Sequence, residues 1–474
     1  MPLSIYNTEA QSLENFTPRR GKIVRMYSCG PTVYDYAHIG NLRSYVFADI
    51  LKRALQHSGY EVQHTINLTD FGHLTDDADA GEDKMLKALR RDNLPLSLES
   101  MRTIADRYID AFKADMEALR ILPPTTWSRA SDYVREQIRL IKTLELKGYT
   151  YETSDGLYFD IARFPTYGRL GKIDLNTLKS GARVEVNQDK RHPADFAVWK
   201  KGELGWDSLW GKGFPGWHIE CSAMAIATLG KQIDIHTGGI DHIHTHHNAE
   251  IAQSEAATGR QFARYWLHNE FITIDNTKVS KSLGNTITLR HLADRGFSGE
   301  DYRYWLLLGH YRSPLNFTFA ALEQAKQALY RLKRYQFEEF RGQTGIIDQA
   351  SLHTFTGALC HDLDTPKALA TLWQMVRNTT LSAGSKHATL LAMDKWLGLG
   401  LNDEPQTALL TLGVVSHHDI PSDIQALVTA REQAREQKDW TEADRLRATL
   451  EERGYFVEDR TSGQRLRLKS DTTS

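Results

Sequence analysis

The stretch KIVRMYSCGPTVYDYAHIGNLRSYVFADILKRALQHSGYEVQHTINLTD, residues 22–70, constrains the fold more than any other part of the chain. Lys22 to Ser28 reads as a strand and ends at a Gly-Pro turn. From about Gly40 to Ser58 the apolar residues recur every three or four positions, as on one face of a helix. Tyr60 to Leu68 reads as a strand again. Two strands joined through a helix pair in parallel, because a parallel pair needs a crossover connection. The predicted βαβ unit therefore opens a doubly wound parallel sheet. Such sheets bind ligands at the carboxyl ends of their strands, where the strand order reverses.

The rest of the chain fills out this frame. Residues 97–150 read as helical. Over 151–215 apolar periodicity falls, Gly, Trp, Asp and Lys rise, and short strands such as Leu157 to Ile161 emerge, which suggests an insertion within the α/β domain. QIDIHTGG resumes the α/β pattern, followed by a helix to about Thr258. Past Ser282 the chain reads as almost wholly helical, with LNDEPQTALLTLGVVSHHDIPSD as a linker, a helix or helix pair over 423–453, and a basic tail, RTSGQRLRLK. A chain of 474 residues is too long for one core. The expected division is 1–130 and 226–295 as two halves of a Rossmann-type catalytic domain, 131–225 as the insertion between them, and helical segments over 296–345, 346–412 and 413–474. No apolar run is long enough to span a membrane, and MPLSIYNTEAQSLENFTPRR lacks the apolar core of a secretory signal, so a cytoplasmic protein is expected. Only three cysteines occur, Cys29, Cys221 and Cys360, which argues against a disulfide framework and for buried, catalytic or metal-binding roles. The formal net charge of -2 neither demands nor excludes nucleic acid.

Three constellations carry chemistry. HIGN, His38 to Asn41, sits where the first strand turns into its helix, and a helix N-terminus there presents N–H groups and a positive dipole end to phosphate. Gly40 permits close approach, and His38 and Asn41 offer donors; alone, the tetrapeptide fits an ordinary capped turn equally well. KVSKS, Lys278 to Ser282, supplies two mobile cations and two hydroxyls for a polyphosphate, or else a solvated basic loop. The third is a dispersed donor set. Cys29 ends the first strand, Cys221 lies in FPGWHIECSAM, and His246 and Glu250 are four apart on one helix face in GGIDHIHTHHNAEIAQSEA. Two thiolates, an imidazole and a carboxylate suit zinc. On spacing alone His242, His244 and His247 stay open as ligands, and a lone buried cysteine is usually inert.

A His-Ile-Gly turn paired with a distant Lys-x-Ser-Lys-Ser loop resembles class I aminoacyl-tRNA synthetases. CGPTVYDYAHIGN, TDFGHLTDDADAGEDKM, PGWHIECSAMA, GGIDHIHTHHNAEIAQSEA and YWLHNEFITIDNTKVSKSLGN, in this order, resemble the cysteinyl-tRNA synthetase family, as do YWLLLGHYRSPLNFT, CHDLDTPKALATL and DWTEADRLRATLEERG. The resemblance covers nearly the whole chain. It implies one zinc ion per chain on Cys29, Cys221, His246 and Glu250, which would bind the thiolate of substrate cysteine. It implies ATP contacts at His38, Gly40, Asn41, Gly239, Asp241 and Lys281, catalytic roles for His38, Asn41, Lys278 and Lys281, and Mg²⁺ with the ATP. Gly30, Thr69 and Trp217 would shape the amino-acid pocket. The implied partners are L-cysteine, ATP and cysteine tRNA, with no membrane and a monomeric chain. Residues 296–345 would contact the tRNA stem, 346–412 would bind the anticodon, and 413–474 would form a tRNA-binding extension. Tyr330, Arg331, Lys333, Arg334, Tyr335, Arg460, Arg465, Arg467 and Lys469 would face RNA.

The chain departs from the family pattern at several points. Asn41 stands where the class often has His, Val279 where it has Met, and Glu270 where a glycine is usual; His242, His244, Thr245, Asn248 and Ala249 also differ. Two rival readings share parts of this pattern. A ligase that joins activated cysteine to an amino sugar would lack the long helical part past Leu283. A catalytically dead RNA-binding protein would not need both signature loops and all four ligands.

Overall fold

The structure, a computed structural model, describes residues 1–71, 84–173, 189–278, 286–340, 342–403, 420–460 and 463–468. A hairpin of β1 (Ser4–Asn7) and β2 (Ser12–Asn15) precedes β3 (Ile23–Ser28), α1 (Ile39–His57) and β4 (Glu61–Leu68), the expected βαβ unit. Next come α2 (Lys84–Arg91), α3 (Leu98–Ala118), β5 (Thr126–Arg129) and α4 (Val134–Leu146). The stretch read as helical over 97–150 therefore contains a strand. TWSR is only four residues long and pairs on one side only, with β4, so it carries no apolar period to read.

An antiparallel sheet follows, made of β6 (Thr150–Thr153), β7 (Gly156–Phe159), β8 (Phe196–Trp206) and β9 (Gly213–Pro215). The chain then re-enters the α/β layer through α5 (Trp217–Leu229), β10 (Ile233–Gly239), α6 (His246–Thr258) and β11 (Ala263–Asn269). The main sheet has the order β11-β10-β3-β4-β5 and is parallel throughout. From β3 the chain winds outward through β4 to β5 and then returns to the other side, so the order reverses between β3 and β10. Helices cover both faces, and the strands are accordingly apolar: Val24, Met26, Ile233 and Ile235 are fully buried.

Beyond the sheet lie β12 (Ile272–Ile274), β13 (Thr277–Lys278), α7 (Leu289–Ala293), α8 (Gly299–Leu307) and β14 (Leu315–Phe317), with β12 and β14 parallel. Arg43 of α1 fastens this region to the Rossmann-type core, donating to the carbonyls of Phe271, His310, Tyr311 and Ser313. Then come α9 (Phe319–Arg334), α10 (Gln349–Cys360), α11 (Thr365–Arg377) and α12 (Ala383–Leu397), two further helices over Ser422–Glu436 and Trp440–Glu452, and a closing antiparallel hairpin of Tyr455–Arg460 with Gly463–Leu468.

That hairpin corrects one expectation and adds to another. The basic tail is a strand, because Gln464-Arg465-Leu466-Arg467-Leu468 alternates with period two and buries Leu466. Its cations are also committed. Arg465 and Arg467 pair with Glu338, Arg334 pairs with Glu338 and Glu458, and buried Lys333 pairs with Glu300. Each of these four side chains is thus paired with a protein carboxylate, with Arg334 and Arg465 remaining partly exposed. The side chains of Arg460 and Lys469 lie outside the described residues, as does most of the proposed linker.

Candidate metal centre and active-site crevice

Three distant segments meet at the reversal between β3 and β10. Cys29 follows β3 and donates its N–H to the carbonyl of Thr237 on β10 (3.2 Å). Cys221 lies on α5, and His246 and Glu250 lie one turn apart on α6, the pair of helices packed together at this end of the sheet. One donor atom from each of Cys29, Cys221, His246 and Glu250 lies within 4.8 Å of the others, and all four residues are buried. His246 Nε2 is 3.1 Å from Glu250 Oε1, the contact that i, i+4 spacing provides.

The surroundings supply a reason for each donor's state. Burial opposes ionisation of Glu250, but the imidazoles of His236 and His246 outweigh it and hold the carboxyl down to about 2. Burial likewise disfavours a charged His246, while Cys221 and Glu250 favour it and push the imidazole up to about 10. The hydrogen bond from Cys29 lowers Cys221, and burial with that same bond raises Cys29, so the first proton leaves from Cys221. The donors thus place the Glu250 carboxylate and the readily ionised Cys221 thiol against the His246 imidazolium.

Other imidazoles surround the four. His246 Nδ1 lies 2.9 Å from Nδ1 of His218, and His236 Nε2 lies 2.9 Å from Glu250 Oε2. His247 Nδ1 lies 2.8 Å from His268 Nε2, whose other ring nitrogen is 2.8 Å from Thr8 Oγ1. Burial holds His247 and His268 well below the usual histidine range, so both rings are neutral. A second donor set, Cys29, His236, His247 and Glu250, also lies within 4.8 Å. It shares Cys29 and Glu250 with the first set but holds one thiol in place of two. His242, which has no counterpart in the family pattern, stacks obliquely beside His246 and His247, with ring centroids 5.2 and 5.0 Å away. His244 is exposed and stands away from the donors.

The pocket walls follow from close packing. A Cβ on Gly30 would fall 1.6 Å from the carbonyl oxygen of Asn67, so only glycine fits there, and the Gly30 N–H donates to Asn67 Oδ1. Thr69 donates to Glu220 of α5 (2.9 Å), a fully buried carboxylate, and the Trp217 ring lies 4.7 Å from that of His246. Gly239 ends β10, and a Cβ there would meet Asp241 Oδ1 at 2.3 Å. His38 and Asn41 cap α1 reciprocally: His38 Nδ1 accepts from the Asn41 N–H, and Asn41 Oδ1 accepts from the His38 N–H. A neutral His38 therefore carries its ring proton on Nε2. The Ile39 N–H donates to the Ile287 carbonyl, which ties this turn to the chain just after the second signature loop. Lys278 ends β13; Lys281 lies outside the described residues.

His236, His218, Glu220 and Thr8 were not chosen from sequence. His236 is one polar residue in an apolar strand, and Thr8 meets His268 across 260 positions. Only His218 and Glu220, sharing one helix with Cys221, left a signal that could have been followed.

The chain matches the family model described as "tRNA synthetases class I (C) catalytic domain" over residues 15–327. It matches "Cysteinyl-tRNA ligase anticodon binding domain" over residues 417–467. It is 47% identical to Cysteine–tRNA ligase 1 of Burkholderia lata, over 98% of this chain and 97% of that one. Its identity to Cysteine–tRNA ligase of Treponema denticola is 42%, over 97% and 98%. Among solved structures, methionyl-tRNA synthetase of Mycobacterium tuberculosis in complex with methionyl-adenylate superposes with a TM-score of 0.57 at 13% identity, covering 84% of this chain and 95% of that one. The Agrobacterium radiobacter LeuRS-tRNA-LeuAMS ternary complex gives 0.59 at 12% identity, covering 84% and 86%. Those two likenesses establish the shared α/β fold. The chain belongs to the cysteine–tRNA ligase family of class I aminoacyl-tRNA synthetases.

Proposed function

We propose that the chain activates L-cysteine with ATP to cysteinyl-adenylate and pyrophosphate, then transfers the cysteinyl group to the 3′-terminal adenosine of cysteine tRNA. The observation that carries this reading is the convergence of Cys29, Cys221, His246 and Glu250 at the sheet's order reversal, in a chain of this family. Two thiols, an imidazole and a carboxylate, all buried, fit zinc. A zinc ion held there favours a thiolate over a hydroxyl, a distinction that an apolar pocket alone limits to ~10–200-fold. Gly30, Thr69 and Trp217 bound the space beside the four ligands and orient the amino acid.

The remaining assignments concern ATP, which the reading supplies with Mg²⁺. His38, with its proton on Nε2, and Asn41 donate to the phosphates at the positive end of α1, and Gly40 lets them approach. Lys278 and Lys281 balance the charge that develops as the substrate carboxylate attacks the α-phosphate. Gly239 and Asp241 hold the adenosine ribose. We place the protein in the cytoplasm; no helix among the described residues is long and apolar enough to cross a membrane.

Cysteine-dependent ATP–pyrophosphate exchange followed by charging of cysteine tRNA tests the activity. Exchange that delivers cysteine to an amino sugar and not to tRNA would overturn the assignment. Metal analysis tests the ligands: Cys221→Ser and Glu250→Ala are each expected to lose most bound zinc, and full zinc content in both would refute the site.

A further inference from the structure

The opposite end of the same sheet carries a second cavity. The residues that precede or open β3, β10 and β11 surround a cavity of about 420 Å³. Arg19 and Arg20 come from the segment before β3, and Arg25 from β3 itself. Lys231 comes from the turn before β10, Arg260 from the turn before β11, and Arg264 from β11. Gln232 completes the lining, and no acidic residue takes part. Six cations thus converge in a protein whose formal net charge is -2.

Like charges gathered this closely raise the energy of the folded protein unless something neutralises them. The chain's own carboxylates do so only in part: burial, with neighbouring Arg264 adding to it, lowers the Arg19 pKa and outweighs Asp234 and Glu255, which favour its charge. Among the described residues none of the six forms an ion pair with Asp or Glu. The two nearest acids are spoken for: Asp234 accepts the backbone N–H groups of Arg19 (2.6 Å) and Arg25 (2.8 Å), and Glu255 binds Arg169 through both oxygens and accepts the Phe262 N–H. Asp234 therefore fixes the backbone that carries two arginines, and the Arg19 guanidinium is itself held at the cavity wall, donating through Nε to the Ile233 carbonyl (3.0 Å) and through Nη2 to Gln261 Oε1 (2.8 Å). The carboxyl ends of α5 and α6 reach this side, each favouring a nearby cation, which accounts for two of the six. Half-buried Arg19, Arg25 and Arg264 form the floor, and exposed Arg20, Lys231 and Arg260 form the rim.

We propose that this cavity binds a compact ligand carrying two or more adjoining phosphate groups, separately from the ATP crevice. Guanidinium groups grip phosphate oxygens in pairs, and several converging on one hollow match a polyphosphate chain better than a single anion. An extended RNA strand would instead call for cations spread along a groove. The seven residues of β10 separate the two sites by roughly 20 Å, at a rise of about 3.3 Å per residue, so one ligand cannot fill both.

The test is calorimetric titration of the zinc-loaded full chain with inorganic tripolyphosphate, with a non-reactive cysteinyl-adenylate analogue filling the catalytic crevice. One saturable site per chain is expected, with affinity falling about tenfold or more when Arg20, Lys231 and Arg260 are all changed to Gln. Those three side chains are exposed, so cysteine-dependent exchange should stay at the wild-type level and report an intact fold. Arg264→Gln provides an independent variant with the same expected loss. Parallel titrations with ATP and tripolyphosphate separate a nucleotide from a free polyphosphate: tighter ATP binding assigns the former, equal binding the latter. Equal affinity for monophosphate, tighter binding of a single-stranded RNA, or undiminished binding in both variants would overturn the proposal.

Discussion

Three of the four donors at the metal centre touch a neighbour outside the proposed ligand set: Cys29 meets His247, Glu250 meets His236 and His246 meets His218. His218 is the clearest case, since it touches His246 at 2.9 Å from inside the same helix that carries Cys221. A ligating imidazole whose other nitrogen loses its partner typically loses 10–100-fold in metal affinity. His218→Ala should accordingly weaken zinc binding by about that range in a chelator competition while melting near the wild-type temperature. Zinc affinity within twofold of wild type would show that His218 only fills space. At this scale the sequence was readable where chemistry is local. A cysteine ending a strand, and a His and Glu four apart, announce themselves. The imidazoles of His236 and His268 do not, because their roles arise only when β10, β11 and α6 close around Glu250 and His247. Asn41 is intermediate: its sequence position suggests a weakened phosphate donor, while the structure shows a second occupation, capping α1 through His38.

Among elements, the closing hairpin shows how charge substitutes for a large core. Its small apolar cluster, built on Ile424, Val428, Leu450, Val457 and Leu466, is reinforced by Asp459, which receives Arg431 and Arg435. Hydrogen bonds from Arg431 lead the causes that hold the Asp459 carboxyl down to about 2, against 3.8 when free. A carboxylate whose folded value is depressed stabilises fully above its unfolded value and loses that contribution as pH falls through the folded one. Protection of the Tyr455–Arg460 amides in hydrogen exchange should thus decline between about pH 4 and pH 2. Asp459→Asn should remove that decline; an unchanged profile would assign the acid sensitivity elsewhere. Helices such as His246–Thr258 were legible from sequence because their apolar residues recur. The strands Thr126–Arg129 and Gly463–Leu468 were not, one being too short for a period and the other carrying its alternation on arginines.

At the scale of the whole molecule, Arg303 is the rivet. Fully buried on α8, its guanidinium donates to the carbonyls of Leu397 and Leu119 and to the Asp49 carboxylate, joining α12, the end of α3 and α1. Removing one member of a buried ion pair typically costs about 3–5 kcal/mol, and Arg53, which stays 2.8 Å from Asp49, holds the loss here to the lower end of that range. Arg303→Met should cost about that much in chemical denaturation, and Asp49→Asn added to it should cost less than the two single changes summed. Strict additivity would show that the two groups are not coupled. No sequence pattern reveals such a contact, since Asp49 and Arg303 stand 254 positions apart.

The same long separation governs how the metal centre comes into being. The first of its four proposed ligands is residue 29 and the last is residue 250. At a synthesis rate of about 5–20 residues per second, Cys29 waits roughly ten to forty seconds for Glu250 to be made. The four donors meet only once β10 has slotted beside β3 and α5 has packed on α6. Until then the ribosome carries a thiol with no ion to hold it, open to oxidation or to capture by a stray metal. On the proposed assignment, the tally of zinc in a preparation therefore doubles as a count of chains that finished folding.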